Sequence, residues 1–347
     1  MGLPRETAEG GIPILENHDD FGGHARRNEF QAGGRLLLGY GGSESFQPPR
    51  HLFSDEVSRL LGKLGVKVER LVRGFNQSFY PELKLSRGVF SDRETFGENR
   101  LVSGDPTRKP ADDVPPGKLS ARSWAAFIGD FPLPEADRAA LLELHTTPRD
   151  CLAGKSVEEK LAYLDQTSYR DFLRRDVGLS EAALNYLQGR SNDFMALGID
   201  ALPASAFCEW GFPGFAALGL PPIDAETQAE LDESYIYHFP DGNASVARLL
   251  VRSLIPAVAR GRGTDDIVLA RFDYGMLDVA GQLVRLRLNS SVVSVRNRGG
   301  GVDVGYSRNG RLHHVRAKHC VLACYNMMIP YICATCPRRR RRRWCRT

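Results

Sequence analysis

The sequence has no long hydrophobic run, no ordered set of cysteines and no export signal at its start. No uninterrupted apolar stretch approaches the roughly 18 to 20 residues of a membrane-spanning helix. The seven cysteines are an odd number without regular spacing, which argues against a disulfide framework. Cys333 and Cys336 have C-x-x-C spacing, but no second pair accompanies them. We therefore interpret that spacing as accidental and predict no metal site.

Acidic residues are missing from the last part of the chain. Residues 337–347 carry seven arginines and no acid, and without these arginines the formal net charge changes from +4 to −3. Because a run of like charges is typically a solvated segment, we interpret residues 334–347 as an aberrant Arg-rich tail outside the fold. We expect no nucleic-acid partner. A salt-sensitive affinity for DNA that is lost with the tail would favour the opposite view.

The composition is that of a globular protein with room for two domains. The 347 residues are 42% hydrophobic and 25% charged, enough to bury a large core. Helical periodicity is clear at residues 54–65 and dominates from residue 120 to about residue 189. Alternating residues predict strands at 283–288, 291–297 and 301–306, with turns at Gly299–Gly301 and Asn309–Gly310. These patterns predict an α/β fold.

The run Ile14–Arg27 places an acid after an apolar strand, then a glycine pair, then arginines. A carboxylate at the end of such a strand accepts hydrogen bonds from ribose hydroxyls in dinucleotide-binding folds. A glycine turn lets the backbone approach a pyrophosphate, and guanidinium groups neutralise it. The turn G-x-G-x-x-G belongs about 20 residues before the acid, and Met1–Gly11 contains no such pattern.

The sequence ILENHDDFGGHARRNEF resembles the E-x-x-x-x-x-G-G-[RH] signature of FAD-dependent amine oxidases, in particular the bacterial spermidine dehydrogenase-like branch. The resemblance covers roughly residues 12 to 333. Further matching segments are Ser86–Gly97, Tyr235–Pro256 and His319–Cys333.

The resemblance implies an FAD-binding Rossmann-like domain with an antiparallel β crossover, plus a mainly helical substrate domain. Residues 12–75 and 235–333 would form the discontinuous FAD-binding domain, and residues 76–234 the substrate or cap domain. We expect the strand that ends at Glu16 to share a sheet with a buried strand at Cys320–Cys324, a continuous apolar segment.

The cofactor-binding residues expected from the resemblance are Glu16, Gly22, Gly23, His24, Arg26, Arg27, Gly41, Gly42 and Val293. Glu16 would bind the ribose. His24 stands where the family more often has an arginine and can donate one hydrogen bond rather than a bidentate pair. Val293 would contact the adenine through its backbone, with Val292 in the competing register.

Each of these assignments has a structural alternative that the sequence leaves open. The glycines also suit ordinary turns, Glu16 suits a solvated loop, and the arginines suit the surface. Trp210 and Glu209 are candidates for the wall of an amine pocket by residue type. We assign no catalytic residue, because the flavin-proximal lysine of the family belongs to a region beyond residue 333.

Two functions remain as hypotheses. The first is an FAD-dependent oxidoreductase that oxidises the C–N bond of an amine, a polyamine such as spermidine, by hydride transfer to the flavin. The alternative is a noncatalytic remnant of such a flavoprotein, arising by frameshift or truncation, that does not bind FAD and purifies colourless. The sequence leaves open the amine, the electron acceptor, the oligomeric state and the compartment. The cytoplasm suits the sequence as written, and the periplasm would follow if an export signal preceded it.

Overall fold

The computed structural model describes residues 5–7 and 10–333, which divide into two units. The first unit comprises the described residues of Met1–Phe46, Ser54–Leu71 and Tyr237–Thr347, and the second comprises Gln47–Phe53 and Val72–Ile236. The assignment of one part of the chain to FAD and another to substrate stays a prediction. The predicted tail at 334–347, with Cys336, lies outside the described residues.

The strands are β1 (Arg5–Thr7), β2 (Ile12–Leu15), β3 (Arg27–Ala32), β4 (Arg35–Tyr40), β5 (Gly88–Ser91), β6 (Arg100–Ser103), β7 (Val284–Arg287), β8 (Ser291–Arg298), β9 (Gly301–Arg308) and β10 (Arg311–Ala317). The α-helices are α1 (Asp55–Lys63), α2 (Val68–Gly74), α3 (Phe79–Glu82), α4 (Arg93–Phe96), α5 (Trp124–Gly129), α6 (Glu135–Thr146), α7 (Val157–Gln166), α8 (Tyr169–Phe172), α9 (Glu181–Leu187), α10 (Asn192–Met195), α11 (Ala204–Glu209), α12 (Ala225–Asp232), α13 (Ala244–Leu254) and α14 (Ile329–Ile332).

A parallel pair of strands, β2 and β7, positions the start of the Ile14–Arg27 run. Ile12 pairs with Val284 and Leu15 pairs with Arg287. The ladder continues one residue further, because the Glu16 N–H donates to the Arg287 carbonyl at 2.9 Å. The predicted strand that ends at Glu16 and the predicted strand at 283–288 are therefore both present, but their pairing differs from the expected pairing of the Glu16 strand with Cys320–Cys324.

The predicted hairpins form an antiparallel meander. Strands β8, β9 and β10 are hydrogen-bonded neighbours, and β1 adds to β10 in parallel, which gives the order β1-β10-β9-β8. Gly299 and Gly300 in the first turn, and Asn309 and Gly310 in the second, all have positive φ. Two consecutive residues with positive φ suit two-residue hairpins, so the turn residues explain why the strands reverse here.

The prediction of a buried strand at Cys320–Cys324 is wrong. The segment is irregular, Cys320 and Cys324 are exposed, and 88% of the Val321 surface is accessible. An apolar run indicates a tendency to be buried but does not supply hydrogen-bonding neighbours, and the sheet that contains β2 has only β2 and β7 among the described strands. The described residues thus form a mixed helix-and-strand fold with small sheets, and the Rossmann-like class stays a prediction.

The second unit is mainly helical and has a core rich in aromatic side chains. Tyr169, Phe172 and Phe207 are fully buried. The Tyr169 ring stacks on Phe207 with centroids 4.4 Å apart, and its hydroxyl donates to the Pro213 carbonyl at 2.9 Å. The helices predicted between residues 120 and 189 are present as α5 to α9. Aromatic packing of this kind adds directional stabilisation to the burial of apolar area.

Replacing Ser156 by alanine should lower the free energy of unfolding by about 1 kcal/mol. The Ser156 hydroxyl accepts from the Glu159 N–H at 3.2 Å, and the Glu159 carboxylate accepts from the Ser156 N–H at 2.8 Å. Ser78→Ala is the matched control, because Ser78 precedes α3 without a side-chain cap hydrogen bond. Urea unfolding should separate the two variants. Equal losses would contradict the capping role.

Candidate functional site

A cavity of about 740 Å³ opens in the first unit beside the Ile14–Arg27 run. Its volume falls within the roughly 300 to 1,000 Å³ that is usual for small-molecule sites. The lining combines the β3–β4 hairpin, α13 and the segment at 268–274. The charged side chains that line it are Asp20, Arg26, Arg27, Glu29, Arg248 and Arg271. Four arginines against two carboxylates give the cavity an excess of positive charge.

Arg27 is held in place by the protein. It donates to the Val268 carbonyl at 2.5 Å, approaches the Asp241 carboxylate at 3.3 Å and also pairs with Glu29. The Asp241 side chain is fully buried and accepts from the Ser245 hydroxyl at 2.6 Å. Arg27 therefore connects the signature run to the start of α13, and part of its charge is neutralised. The Arg27 side chain is only 16% exposed, so it is not a free surface arginine, and its role at a cofactor stays a prediction.

Arg248 is a lining residue that the sequence did not point to, and it indicates the chemistry of a ligand better than Arg27 does. It is 6% exposed, lines the cavity on α13 and places its guanidinium 4.0 Å from the centre of the Phe272 ring. It donates to the Ile267 and Ala270 carbonyls. No carboxylate forms an ion pair with it among the residues the structure describes. Burial lowers its pKa and the positive charge of Arg27 lowers it further, while Tyr274, Asp241 and Asp20 oppose this shift.

The position of Arg248 could have been found from helical spacing. Ser245, Leu249 and Arg252 are buried on the same helix, so Arg248 lies within the face that packs inward. The Arg252 guanidinium donates a hydrogen bond to the Asp266 carboxylate at 2.6 Å. A buried cation without an anionic partner is costly, and the cavity beside Arg248 is where such a partner would fit.

Arg26 and Asp20 complete the wall of the cavity near the glycine pair. Arg26 is about half exposed and lies 3.3 Å from Asp19. Asp20 accepts from the Tyr274 hydroxyl at 2.7 Å and from the Phe21 N–H at 2.8 Å. Burial raises the Tyr274 pKa, and the hydrogen bond to Asp20 raises it further. The hydrogen bonds that Asp20 accepts thus come from neutral donors, and it forms no ion pair with the arginines of the lining within the described residues.

Glu16 follows β2 directly, as predicted, and its carboxylate is 23% exposed. One oxygen, Oε1, accepts from the His18 backbone N–H at 2.9 Å and contacts His18 Nδ1 at 2.7 Å. The Glu16 carbonyl accepts from the Ser290 N–H at 2.8 Å, which ties it to the turn before β8. The carboxylate forms no other hydrogen bond among the described residues.

Val293 follows that turn by three residues and is half exposed. The β8–β9 register pairs Val292 with Tyr306 and Ser294 with Gly305, so it skips Val293. A residue in a bulge is left out of the ladder. The structure therefore places Glu16 and Val293 at the same end of the first unit, although neither lines the arginine cavity.

Gly22 and Gly23 lie in the predicted loop and both have positive φ. A Cβ on Gly22 would stand 3.0 Å from the Ala25 carbonyl oxygen and 3.1 Å from the Ala247 methyl group of α13. A Cβ on Gly23 would meet nothing within 4 Å. Gly22 thus allows the loop to pack closely on α13, whereas Gly23 leaves open space.

His24, Gly41 and Gly42 lie side by side. The Gly41 N–H donates to the Arg26 carbonyl at 2.7 Å, and the Ser43 N–H donates to the His24 carbonyl at 3.0 Å. A Cβ on Gly42 would overlap the His24 carbonyl oxygen. These three expected cofactor-binding residues therefore lie where two backbone segments pass close to each other, outside the cavity lining, and their role at a cofactor stays a prediction.

Trp210 and Glu209, the candidates for the wall of an amine pocket, lie in different environments. Trp210 packs edge-on against Phe194 and Phe207, at 5.0 and 5.2 Å between ring centres. Glu209 is exposed. Trp210 therefore belongs to the aromatic packing of the second unit.

Neither a metal-binding cluster nor a membrane-spanning helix is found within residues 10–333. No cluster of three or more His, Cys, Asp or Glu side chains there could hold a metal ion. None of the described helices has the length and apolar character needed to cross a bilayer.

Comparisons with known proteins give only distant similarities. No family model and no curated protein matches the chain. Putrescine oxidase bound to putrescine aligns with a TM-score of 0.41 and 16% identity over 99% of this chain and 64% of that one. A redesigned putrescine oxidase triple mutant gives 0.40 and 18%, over 96% and 57%. A fatty acid isomerase from P. acnes gives 0.40 and 14%, also over 96% and 57%.

This chain spans less than two thirds of the length of each of these solved structures. At such TM-scores and identities, the similarity carries no argument about function.

Proposed function

We propose that the first unit binds FAD and that the protein is a flavin-dependent oxidoreductase acting on the C–N bond of an amine. The observation that carries this proposal is Arg248, a buried guanidinium that lines a large cavity beside Arg27 without an ion-pair partner in the described part of the chain. A ligand that fits must bring negative charge into this cavity.

A diphosphate is the anion that suits the cavity best. Guanidinium groups bind phosphate oxygens through paired charged hydrogen bonds, which are stronger than neutral ones. Arg27 and Arg248 approach from β3 and α13, and Arg26 adds a further charge at the wall. The Phe21 and Phe272 rings, 5.8 Å apart between centres, provide an apolar side wall. The residues present thus fit the diphosphate part of a dinucleotide.

Glu16 and Val293 support the adenosine part of the proposal. The Glu16 carboxylate lies at the end of a parallel strand, where dinucleotide folds bind ribose hydroxyls. Val293 lies in a bulge on β8 at the same end of the unit, which suits the backbone contact to adenine that the family resemblance implies. Gly23 has open space where a side chain would be.

The chemistry that FAD supplies when bound is acceptance of a hydride from the carbon beside the amine nitrogen. The residues of this chain would hold the cofactor: Arg27 and Arg248 at the diphosphate, and Glu16 at the ribose. The amine class, and spermidine as its member, rest on the resemblance of the Ile14–Arg27 run and of Tyr235–Pro256 to amine oxidases. No proton-transferring residue is assigned.

Glu16→Gln should weaken ADP binding about tenfold and leave inorganic pyrophosphate binding unchanged. Only ADP has a ribose, and an amide replaces a charged hydrogen bond by a neutral one, a difference of roughly 1.4 kcal/mol. Calorimetric titrations of both ligands measure the effect. Glu44→Gln, at an exposed position of the same unit, is the control. Equal weakening of both ligands by Glu16→Gln would contradict a ribose contact.

Anaerobic addition of spermidine or putrescine to the FAD-loaded protein tests the reaction class. We expect the flavin absorbance to bleach as the flavin is reduced. Bound flavin that no amine reduces would contradict the amine assignment but leave the cofactor assignment standing. A protein that binds pyrophosphate but not FAD would favour the noncatalytic alternative.

A further inference from the structure

The second unit has a cavity of its own, with a volume of about 480 Å³. Its aromatic residues are Trp124, His145 and Phe212, and Leu144 and Leu179 add apolar surface. The volume is sufficient for a ligand of one or two fused rings. None of these residues belongs to the FAD site proposed above.

A stacked pair of rings forms one part of this lining. The His145 imidazole lies parallel to the Trp124 indole, with 3.7 Å between ring centres and 13° between planes. Burial lowers the His145 pKa to about 4, and the charge of Arg190 contributes in the same direction. The imidazole is therefore neutral at physiological pH. A neutral stacked pair presents apolar ring surface to the cavity instead of a positive charge.

The charged residues of the lining are Arg108, Arg149 and Glu143, which leave one positive charge in excess. Arg149 is about half exposed, donates to the Val177 carbonyl at 2.8 Å and stands 3.9 Å from Glu143. Arg108 donates to the Val114 carbonyl at 2.6 Å and lies 3.4 Å from Asp112. Of the two cations, Arg149 has the looser ion pair and is better placed to accept an anionic ligand.

We propose that this cavity binds a small planar aromatic acid, with its ring against the Trp124 and Phe212 surfaces and its carboxylate on Arg149. The cavity is smaller than the one in the first unit, about 480 Å³ against about 740 Å³. Its apolar lining favours a ring, and its net charge favours a carboxylate over an ammonium group. Arginine is the residue best matched in shape to a planar carboxylate.

Indole-3-acetate and tryptamine test the proposal, because they share a ring and differ in the sign of their charge. Calorimetric titration of the full chain should give a dissociation constant of about 1 mM or below for indole-3-acetate. Tryptamine should bind at least tenfold more weakly. Equal or tighter binding of tryptamine, or no saturable binding of either probe, would overturn the proposal.

Two variants locate the site. Arg149→Gln should weaken indole-3-acetate binding about tenfold, and Trp124→Leu should weaken it by a similar factor through loss of ring surface. Arg175→Gln is the matched control, because Arg175 is exposed, pairs with Asp171 and is absent from the lining. Since Trp124 also packs against Phe127, circular dichroism should confirm that its variant is folded. Unchanged binding in the soluble Arg149→Gln protein would overturn the assignment.

Discussion

Arg248→Met should weaken the binding of pyrophosphate and ADP at least 100-fold and leave the protein folded. The guanidinium is 6% exposed and forms no ion pair within the described residues, and only the weaker attraction of Asp241 and Asp20 offsets its charge, so we expect the charge to act on the ligand. Losing two charged hydrogen bonds costs about 3–6 kcal/mol of binding free energy. Methionine fills a similar volume and removes a buried charge, so the free energy of unfolding should change by only about 1–2 kcal/mol.

Arg252→Met is the matched control for this experiment. Arg252 lies one turn further along α13, is equally buried and pairs with Asp266 at 2.6 Å, but it does not line the cavity. Removing it leaves Asp266, which is 39% exposed, without its partner and should cost about 1–3 kcal/mol of stability. Ligand binding by the folded fraction should persist. If Arg248→Met binds pyrophosphate like the unchanged protein, the anion site lies elsewhere.

The protein should lose roughly 3 kcal/mol of stability as the pH falls from 7 to 4, because of His145 alone. The His145 pKa is lowered from 6.5 to about 4, first by burial and then by the positive charge of Arg190, with Asp105 opposing. Below pH 6.5 the unfolded chain binds a proton that the folded state does not, so unfolding becomes easier. The loss is complete near pH 4, where the folded state also binds a proton.

Urea unfolding at several pH values checks this expectation against His145→Phe, which keeps a buried ring and removes the titrating group. The variant should lose about 3 kcal/mol less than the unchanged protein over the same range. His51→Gln, at an exposed position, should behave like the unchanged protein. Parallel pH curves for His145→Phe and the unchanged protein would contradict the pKa assignment. Asp112, whose pKa is lowered to about 2, contributes its own loss only below this range.

Local sequence signals predicted the parts of the first unit that are specified by neighbouring residues. The acid after β2, the glycine loop and the β8–β9–β10 meander each follow from short patterns: an apolar strand before Glu16, paired glycines, and turn residues with positive φ. In such patterns a few consecutive residues determine the backbone conformation, so no long-range information is needed.

Contacts between residues far apart in the sequence could not be predicted. Arg27 meets Asp241 across more than 200 positions, so no local pattern predicts that its charge is partly neutralised. Helical spacing indicates that Arg248 lies on the buried face of α13, but no local pattern predicts that it is buried without a carboxylate. The segment Cys320–Cys324 shows the opposite error, because its apolar composition indicated burial and the structure leaves Val321 exposed.

Titration of the full chain with FAD tests the central claim most directly. We expect one FAD per chain, displaced by ADP and by pyrophosphate, with an affinity that falls as the salt concentration rises because arginines bind the diphosphate. Arg248→Met should abolish the saturable signal. Saturable FAD binding that neither pyrophosphate nor Arg248→Met affects would contradict the proposed site, and the absence of binding to FAD, ADP and pyrophosphate alike would contradict the cofactor assignment itself.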